Sequence, residues 1–247
     1  QLGLAVEQSV GVNPYKFGLI GATDSHTALA TASEDNFFGK HSGAEPSPAR
    51  SARPMAKFGE LEYPGWSMAS SGYQGVWATE NTREALFDAM MRRETYATTG
   101  SRIMIRFFGG WRFDEQDVWH SDFADIGYAK GVPMGGELRP SNHAPSFIVW
   151  AMRDPRNAPL QRIQMIKIWS ENGDNKEKIY DIVCADELTP NATTNYCPDN
   201  GSTVNLEDCS VSLNKGAPEL KVMWTDPEFN PKDDAAYYIR VLENPTC

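Results

Sequence analysis

The sequence has no long hydrophobic run and has fewer basic than acidic residues. No stretch approaches the roughly 20 consecutive apolar residues that a membrane-spanning helix requires. Lysine and arginine number 23 against 33 aspartates and glutamates, which gives a net charge of −10. Such a surface repels phosphate backbones, and no local basic patch offsets it. We therefore expect neither a membrane span nor a nucleic-acid partner.

The composition is that of a folded globular protein. Hydrophobic residues make up 40% of the 247 positions, and this length is sufficient for one large domain or two small ones. The sequence begins at Gln1 without a charged and then apolar leader. We expect the chain to be the C-terminal part of a longer protein. The N-terminal half of that protein would be its partner and would carry any targeting signal.

Cysteines are few and lie only in the second half of the sequence. The four are Cys184, Cys197, Cys209 and Cys247. An even number of cysteines in loop-like sequence favours disulfides, and three pairings are open. The sequence has neither a CxxC motif nor a cysteine–histidine spacing typical of zinc sites, so a metal site formed by the cysteines is less favoured. We therefore predict a periplasmic or secreted protein.

The local patterns change character near residue 100. Before it, residues 17–22 form a short apolar run that predicts a buried strand, and 81–93 predict a helix that Asn81 could cap. Residues 1–12 favour a helix and 95–100 a strand, whereas 28–73 show no period and predict a long loop. We accordingly assign 1–100 to one domain.

Residues 101–247 contain short β-rich runs separated by turn signals, with almost no helical period. The predicted strands are 102–108, 146–151, 163–169, 178–183, 219–224 and 236–242. This pattern is typical of an antiparallel β-sandwich. The sequence therefore predicts an α+β fold with a sandwich as its second domain.

The residues most suggestive of chemistry directly follow the run at 17–22. Asp24 and His26 are two residues apart, so on an extended segment their side chains point the same way. Carboxylate and imidazole ligands together suit zinc, manganese or iron, and such an ion acidifies bound water. The structural alternative is that Asp24 caps a turn and His26 makes a local hydrogen bond.

Longer stretches of the sequence resemble a known family. Residues 16–27 look like the late barrel strand of PHP-type metal hydrolases, named after polymerase and histidinol phosphatase domains. A closer resemblance, to a bacterial family described as domain of unknown function 3604, covers essentially the whole chain. The stretches that carry it are 16–27, 34–40, 76–89, 93–103, 224–229 and 237–247.

The resemblance implies a fold and a reaction class. It implies that 1–100 are the C-terminal strands and helices of a PHP-like (β/α) barrel, followed by the sandwich. It also implies that Asp24 and His26 bind a divalent metal and that Asp24 accepts a proton. The implied reaction is hydrolysis of a phosphoester, amide or related bond by a water molecule that the metal activates. The first-strand ligands of such enzymes are absent from this sequence, so we expect the fragment alone to bind metal incompletely and to be inactive.

Three further residues are candidates for contacting a small-molecule substrate. His41 lies in a glycine-rich loop, and Arg83 and Arg102 could hold an anionic group. Solvation of His41 and surface ion pairs of the arginines are the structural alternatives. His120 and His143 receive no role.

A glycan-binding or structural sandwich without catalysis is the second functional hypothesis. The aromatic residues of the second half motivate it, because tryptophan can stack on sugar rings. Seven tryptophans are present: Trp66, Trp77, Trp111, Trp119, Trp150, Trp169 and Trp224. Burial in a core is the simpler explanation for most of them.

Overall fold

The chain folds into a mixed α+β structure in which helices are few and short. The computed structural model describes residues 2–29, 38–43, 45–49, 53–65, 72–171 and 173–246. Its helices are α1 (Leu2–Val10), α2 (Arg83–Met91), α3 (Glu115–Trp119) and α4 (Phe123–Lys130). None of these helices is long and apolar enough to cross a membrane.

Antiparallel strands dominate the second half of the chain. The strands are β1 (Pro54–Phe58), β2 (Leu61–Pro64), β3 (Gln74–Val76), β4 (Thr95–Ala97), β5 (Met104–Gly110), β6 (Gly131–Pro133), β7 (Ser146–Met152), β8 (Leu160–Glu171), β9 (Asp174–Cys184), β10 (Glu219–Thr225) and β11 (Asp234–Glu243). A four-stranded sheet has the order β10-β7-β5-β6, and a three-stranded sheet has the order β11-β8-β9. All six strands predicted after residue 100 are confirmed.

The two larger sheets contribute to one hydrophobic cluster. Its buried residues are Phe107, Phe147, Val149, Ala151, Leu160, Ile163, Met165, Tyr180, Ile182, Ala185 and Leu220. These residues come mainly from β5, β7 and β10 of one sheet and from β8 and β9 of the other. Apolar area removed from water on both sheets therefore holds this half of the chain together.

Strands β5 and β7 are buried on both faces. Phe107 faces the cluster between the sheets, whereas its neighbour Phe108 packs with Ile148 in a second cluster. That second cluster includes Val118 of α3 and Phe123 of α4, so these helices cover the outer face of the sheet. Two-sided burial explains why both strands read as nearly continuous apolar runs.

Helices α3 and α4 correct the expectation of almost no helix after residue 100. They span only 5 and 8 residues, too few for a clear helical period. The Asp114 side chain accepts hydrogen bonds from the backbone of Gln116 and Asp117, and the Asp117 carboxylate accepts from the Asp114 N–H. This capping box was the available sequence signal for α3.

The buried strand predicted at 17–22 is wrong. The segment is irregular, and Phe17 and Ile20 expose 69% and 71% of their surface. It runs beside β4, because Thr95 Oγ1 donates to Leu19 O at 2.9 Å. A Cβ at Gly21 would lie only 2.6 Å from Tyr73 O, so the close approach requires glycine. An apolar run alone predicted burial, but no layer among the described residues covers it.

The rest of the first hundred residues agrees in part with expectation. Helices α1 and α2 confirm the two predicted helices, although Thr82, rather than Asn81, caps α2 by accepting from the Ala85 N–H. Within the predicted loop at 28–73, β1 and β2 form an antiparallel hairpin. The remainder of that loop lies partly outside the described residues. The sheets of the described residues do not form a closed barrel.

Cys184 at the end of β9 forms a disulfide with Cys197. Cys209 is also disulfide-bonded, and Cys247 lies outside the described residues. Among the described residues there is no free cysteine. The disulfide indicates an oxidising environment.

We expect the double substitution Cys184→Ser/Cys197→Ser to lower the free energy of unfolding by about 3 kcal/mol. The bond closes a loop of sequence separation 13, and its loss enlarges the conformational entropy of the unfolded chain. Urea denaturation of the variant and the parent measures the difference. An unchanged midpoint and slope would show that hydrogen bonds such as Cys197 N to Asp181 Oδ2, at 2.6 Å, suffice to hold this loop.

Candidate functional site

Asp24 lies on an exposed segment and is held by a lysine. Its side chain is 62% exposed, and the Lys40 ammonium donates a hydrogen bond to Asp24 Oδ2. That hydrogen bond and the charge of Lys40 lower the pKa of the Asp24 carboxyl, and His26 and His41 lower it further. The carboxylate is therefore ionised at neutral pH, and the ion pair is lost only as pH falls through the lowered pKa.

His26 and His41 meet across a short parallel bridge. The backbone N–H of His26 donates to the backbone oxygen of Lys40 at 2.8 Å. The centroids of the two imidazole rings lie 4.6 Å apart, and the ring planes are tilted by 37°. Both histidines are exposed. Two separate segments of the chain thus bring two imidazoles and one carboxylate close together, and all three are open to solvent.

One hydrogen bond defines the tautomer of neutral His26. Its Nδ1 lies 3.1 Å from the backbone oxygen of Asp24. A carbonyl oxygen can only accept, so Nδ1 must carry a proton and donate it. In the neutral ring, Nε2 then presents a lone pair, which is the form that binds a metal ion.

The backbone around Asp24 departs from the expected extended strand. Asp24 has φ of +46°, in the left-handed region that aspartate tolerates better than most residues. Exposure nevertheless alternates along the segment, so Asp24 and His26 are both exposed whereas Thr23 and Ser25 are half-buried. The two candidate ligands therefore share the solvent side of the segment.

The donor set is incomplete for a metal centre. No group of three or more His, Cys, Asp or Glu side chains within the described ranges is arranged to hold a metal ion. Catalytic zinc sites use three protein ligands and keep one position for water. Asp24 and His26 are therefore suitable in chemistry and exposure for at most part of such a site.

The two candidate arginines lie on other elements. Arg83 is exposed in the first turn of α2. The Arg102 guanidinium lies 4.9 Å from the centre of the Tyr73 ring, while its backbone N–H donates to Asp154 Oδ2 at 3.0 Å. Their role in binding substrate stays a prediction.

Lys40 is the residue of this site that sequence analysis missed. It immediately precedes His41 and lies in the stretch 34–40 that carries the family resemblance. Its position next to His41 in the sequence could have indicated that Lys40 belongs to the site. Its pairing with Asp24, which is 16 residues away, depends on the bridge between the two segments.

Comparisons with known proteins place the whole chain in one family. Neither the curated proteins nor the solved structures contain a match to this chain. The family model described as "Protein of unknown function (DUF3604)" matches residues 1–247. The chain therefore belongs to the DUF3604 family.

Proposed function

We propose that this chain is part of a metal-dependent hydrolase in which Asp24 and His26 supply ligands to a divalent ion. The observation that carries the proposal is the solvent-facing group of an ionised Asp24 and an oriented His26 beside His41. A bound zinc, manganese or iron ion would supply an acidified water for attack on a phosphoester, amide or related bond.

Within this proposal, Lys40 positions the carboxylate. Its side chain is 19% exposed, so it is held more firmly than the Asp24 group with which it pairs. A metal ion competes with this ammonium for the Asp24 oxygens, and Lys40 then remains available to pair with an anionic substrate. Asp24, when it is not bound to Lys40, is the candidate proton acceptor. His41 beside His26 is the nearest candidate for a substrate contact.

The remaining ligands must come from outside the described residues. We infer that the N-terminal half of a longer polypeptide supplies them and completes a PHP-like barrel, and that the sheets after residue 100 form a sandwich. Exposed apolar side chains at Phe17, Leu19 and Ile20 support this inference, because they lie on the segment that leads to Asp24. A covering layer of strands would bury them.

The substrate and the compartment follow from the same proposal. The substrate is a small molecule, for which Arg83 and Arg102 are additional candidate contacts through anionic groups. The disulfide at Cys184 supports a periplasmic or secreted location.

Removing either ligand should weaken metal binding. We expect His26→Gln and Asp24→Asn to lower the affinity of this chain for Zn²⁺ by about tenfold or more, since each deletes one of few ligands. Competition with a chromogenic chelator measures the affinity. His120→Gln is the matched control, because His120 is an exposed histidine that contacts Asp122 instead.

Equal Zn²⁺ affinity in the parent, His26→Gln and His120→Gln proteins would contradict the proposal. Elemental analysis of the same variants expressed from the complete reading frame extends the test. Full retention of metal after the double substitution Asp24→Ala/His26→Ala would remove both residues from the metal site.

A further inference from the structure

A second candidate site lies at one end of the four-stranded sheet, in the second half of the chain. Strand register creates it: Gly110 at the end of β5 pairs with Ser146 at the start of β7, which pairs in turn with Thr225 at the end of β10. The loops that follow β5 and β10 and the loop that precedes β7 therefore converge at this end. A cleft of about 490 Å³ lies between the loop that follows β5 and the loop that precedes β7.

The walls of the cleft are anchored by buried contacts. Phe113 is buried, and its N–H donates to Ser146 Oγ at 3.3 Å, which fixes the segment that carries Trp111 and Arg112. Two residues beyond His143 of the other wall, Pro145 O accepts from the Asp226 N–H at 3.1 Å, which attaches this segment to the one that follows β10. The side chains that line the cleft thus project from short segments attached to a rigid sheet. They are Trp111, Arg112, Arg139, Pro140, Ser141 and His143.

The two arginines of the cleft carry uncompensated positive charge. Arg112 and Arg139 are exposed, and neither makes a hydrogen bond or ion pair with any residue that the structure describes. In a chain of net charge −10, two guanidinium groups in one cleft that have no carboxylate partner among the described residues form a local positive site. A planar guanidinium can hold a carboxylate or sulfate through paired hydrogen bonds.

No carboxylate is among the side chains that line the cleft, and three carboxylates on the adjoining segments are engaged elsewhere. Asp114 accepts from the α3 backbone and pairs with Lys130. Asp226 is fully buried against Lys167, and Glu228 pairs with Lys178. The local balance of charge in the cleft is therefore positive.

Trp111 and His143 add a stacking surface and a hydrogen-bonding group. The Trp111 ring is half-buried, and it meets Phe229 edge-on with centroids 6.3 Å apart, so its position is supported from the β10 loop. Within the described part of the chain, neither the Trp111 indole N–H nor the His143 ring makes a hydrogen bond. Both groups can therefore serve a ligand.

We propose that this cleft binds an acidic carbohydrate. A tryptophan face matches the apolar face of a pyranose ring, the arginine pair matches its carboxylate or sulfate, and the volume suits one or two sugar rings. A purely apolar ligand would leave both guanidinium groups desolvated without a partner. The site is remote in sequence from Asp24 and His26 and does not depend on the hydrolase proposal.

Isothermal titration of the folded chain with trigalacturonate tests the proposal. We expect binding that is reduced about tenfold by Arg112→Gln or Arg139→Gln, because each removes one charged hydrogen-bonding partner. Trp111→Ala should reduce it by a similar factor through loss of stacking. The affinity should fall as NaCl is raised, since the attraction is partly between exposed charges.

Matched controls separate this site from general charge effects. Arg153→Gln removes an arginine at the opposite end of β7, about 20 Å away, and should leave binding unchanged. Maltotriose, which is neutral, should bind at least tenfold more weakly than trigalacturonate. Trigalacturonate that fails to bind the parent, or that binds all variants equally, overturns the proposal. If sulfate binds the parent as tightly as trigalacturonate does, and Trp111→Ala does not change trigalacturonate binding, the cleft is a site for inorganic anions and the proposal is wrong.

Discussion

Replacing Asp226 by alanine is expected to lower the free energy of unfolding by about 3–5 kcal/mol. Lys167 of β8 lies 2.6 Å from Asp226 Oδ2, and their side chains are only 4% and 0% exposed. The substitution would leave the Lys167 ammonium buried without a counter-charge. Urea denaturation followed by tryptophan fluorescence measures the change.

The size of this effect follows from how completely Asp226 is used. Tyr237 donates to Asp226 Oδ2 at 2.7 Å, and the Glu228 N–H donates to Oδ1 at 2.9 Å. Burial and this carboxylate raise the pKa of Tyr237, so its hydroxyl stays protonated and can donate. Asp226 follows β10 of one sheet, whereas Lys167 and Tyr237 belong to the other, so the network joins the two sheets.

Two further variants test whether the buried charge causes the loss. Asp226→Ala/Lys167→Met should recover part of the stability, because the unpaired ammonium is removed as well. Asp88→Ala on the exposed surface of α2 is the control, with a change within about 0.5 kcal/mol. If the double variant is no more stable than the single one, the loss comes from packing rather than from buried charge.

Replacing Glu94 by alanine should cost a comparable amount, about 3–5 kcal/mol. Glu94 is 2% exposed, Tyr128 donates to its Oε1, and Arg106 lies 3.6 Å from the same oxygen. The Arg106 guanidinium in turn lies 3.5 Å from the centre of the Trp77 ring. Loss of the carboxylate removes the negative charge beside this half-buried cation and leaves it with the Trp77 ring and the Tyr128 hydroxyl, 3.0 Å away.

The Glu94 network connects elements from either side of residue 100. Glu94 lies between α2 and β4, whereas Arg106 is in β5 and Tyr128 in α4. We therefore expect Glu94→Ala to increase the rate of limited proteolysis between α2 and β5 as well as to lower stability. Glu60→Ala, in the exposed turn of the β1–β2 hairpin, is the control. A variant that loses stability without faster cleavage in this segment would show that the network does not hold the two regions together.

The strands after residue 100 were predictable because their signal is local. Alternation or continuous apolar runs between turn residues predicted each of the six, and the structure extends or shifts them by a few residues. Helices α3 and α4 were missed because they are too short to show a period. The run at 17–22 was misread because the pattern reports only that side chains are apolar, not whether another layer covers them.

The candidate site was predictable only in its residue types. Asp24 and His26 were recognised from their spacing, and the exposure of both residues agrees with a site open to solvent. The proximity of Lys40 and His41 to them could not be predicted, since it depends on a bridge between separate segments. His143 received no role from the sequence, yet it lines the cleft with Trp111 and two arginines.

By itself, the sequence determined the six strands predicted after residue 100, the helices α1 and α2, the excess of acidic charge and the membership in a family. The tertiary structure alone decided that Lys40 pairs with Asp24, that Asp226 is buried against Lys167, and that Arg112 and Arg139 share a cleft. The physical reason is that periodicity depends on neighbours a few residues apart. Ion pairs and clefts depend on strand register and layer packing, which bring together residues that are distant in the chain.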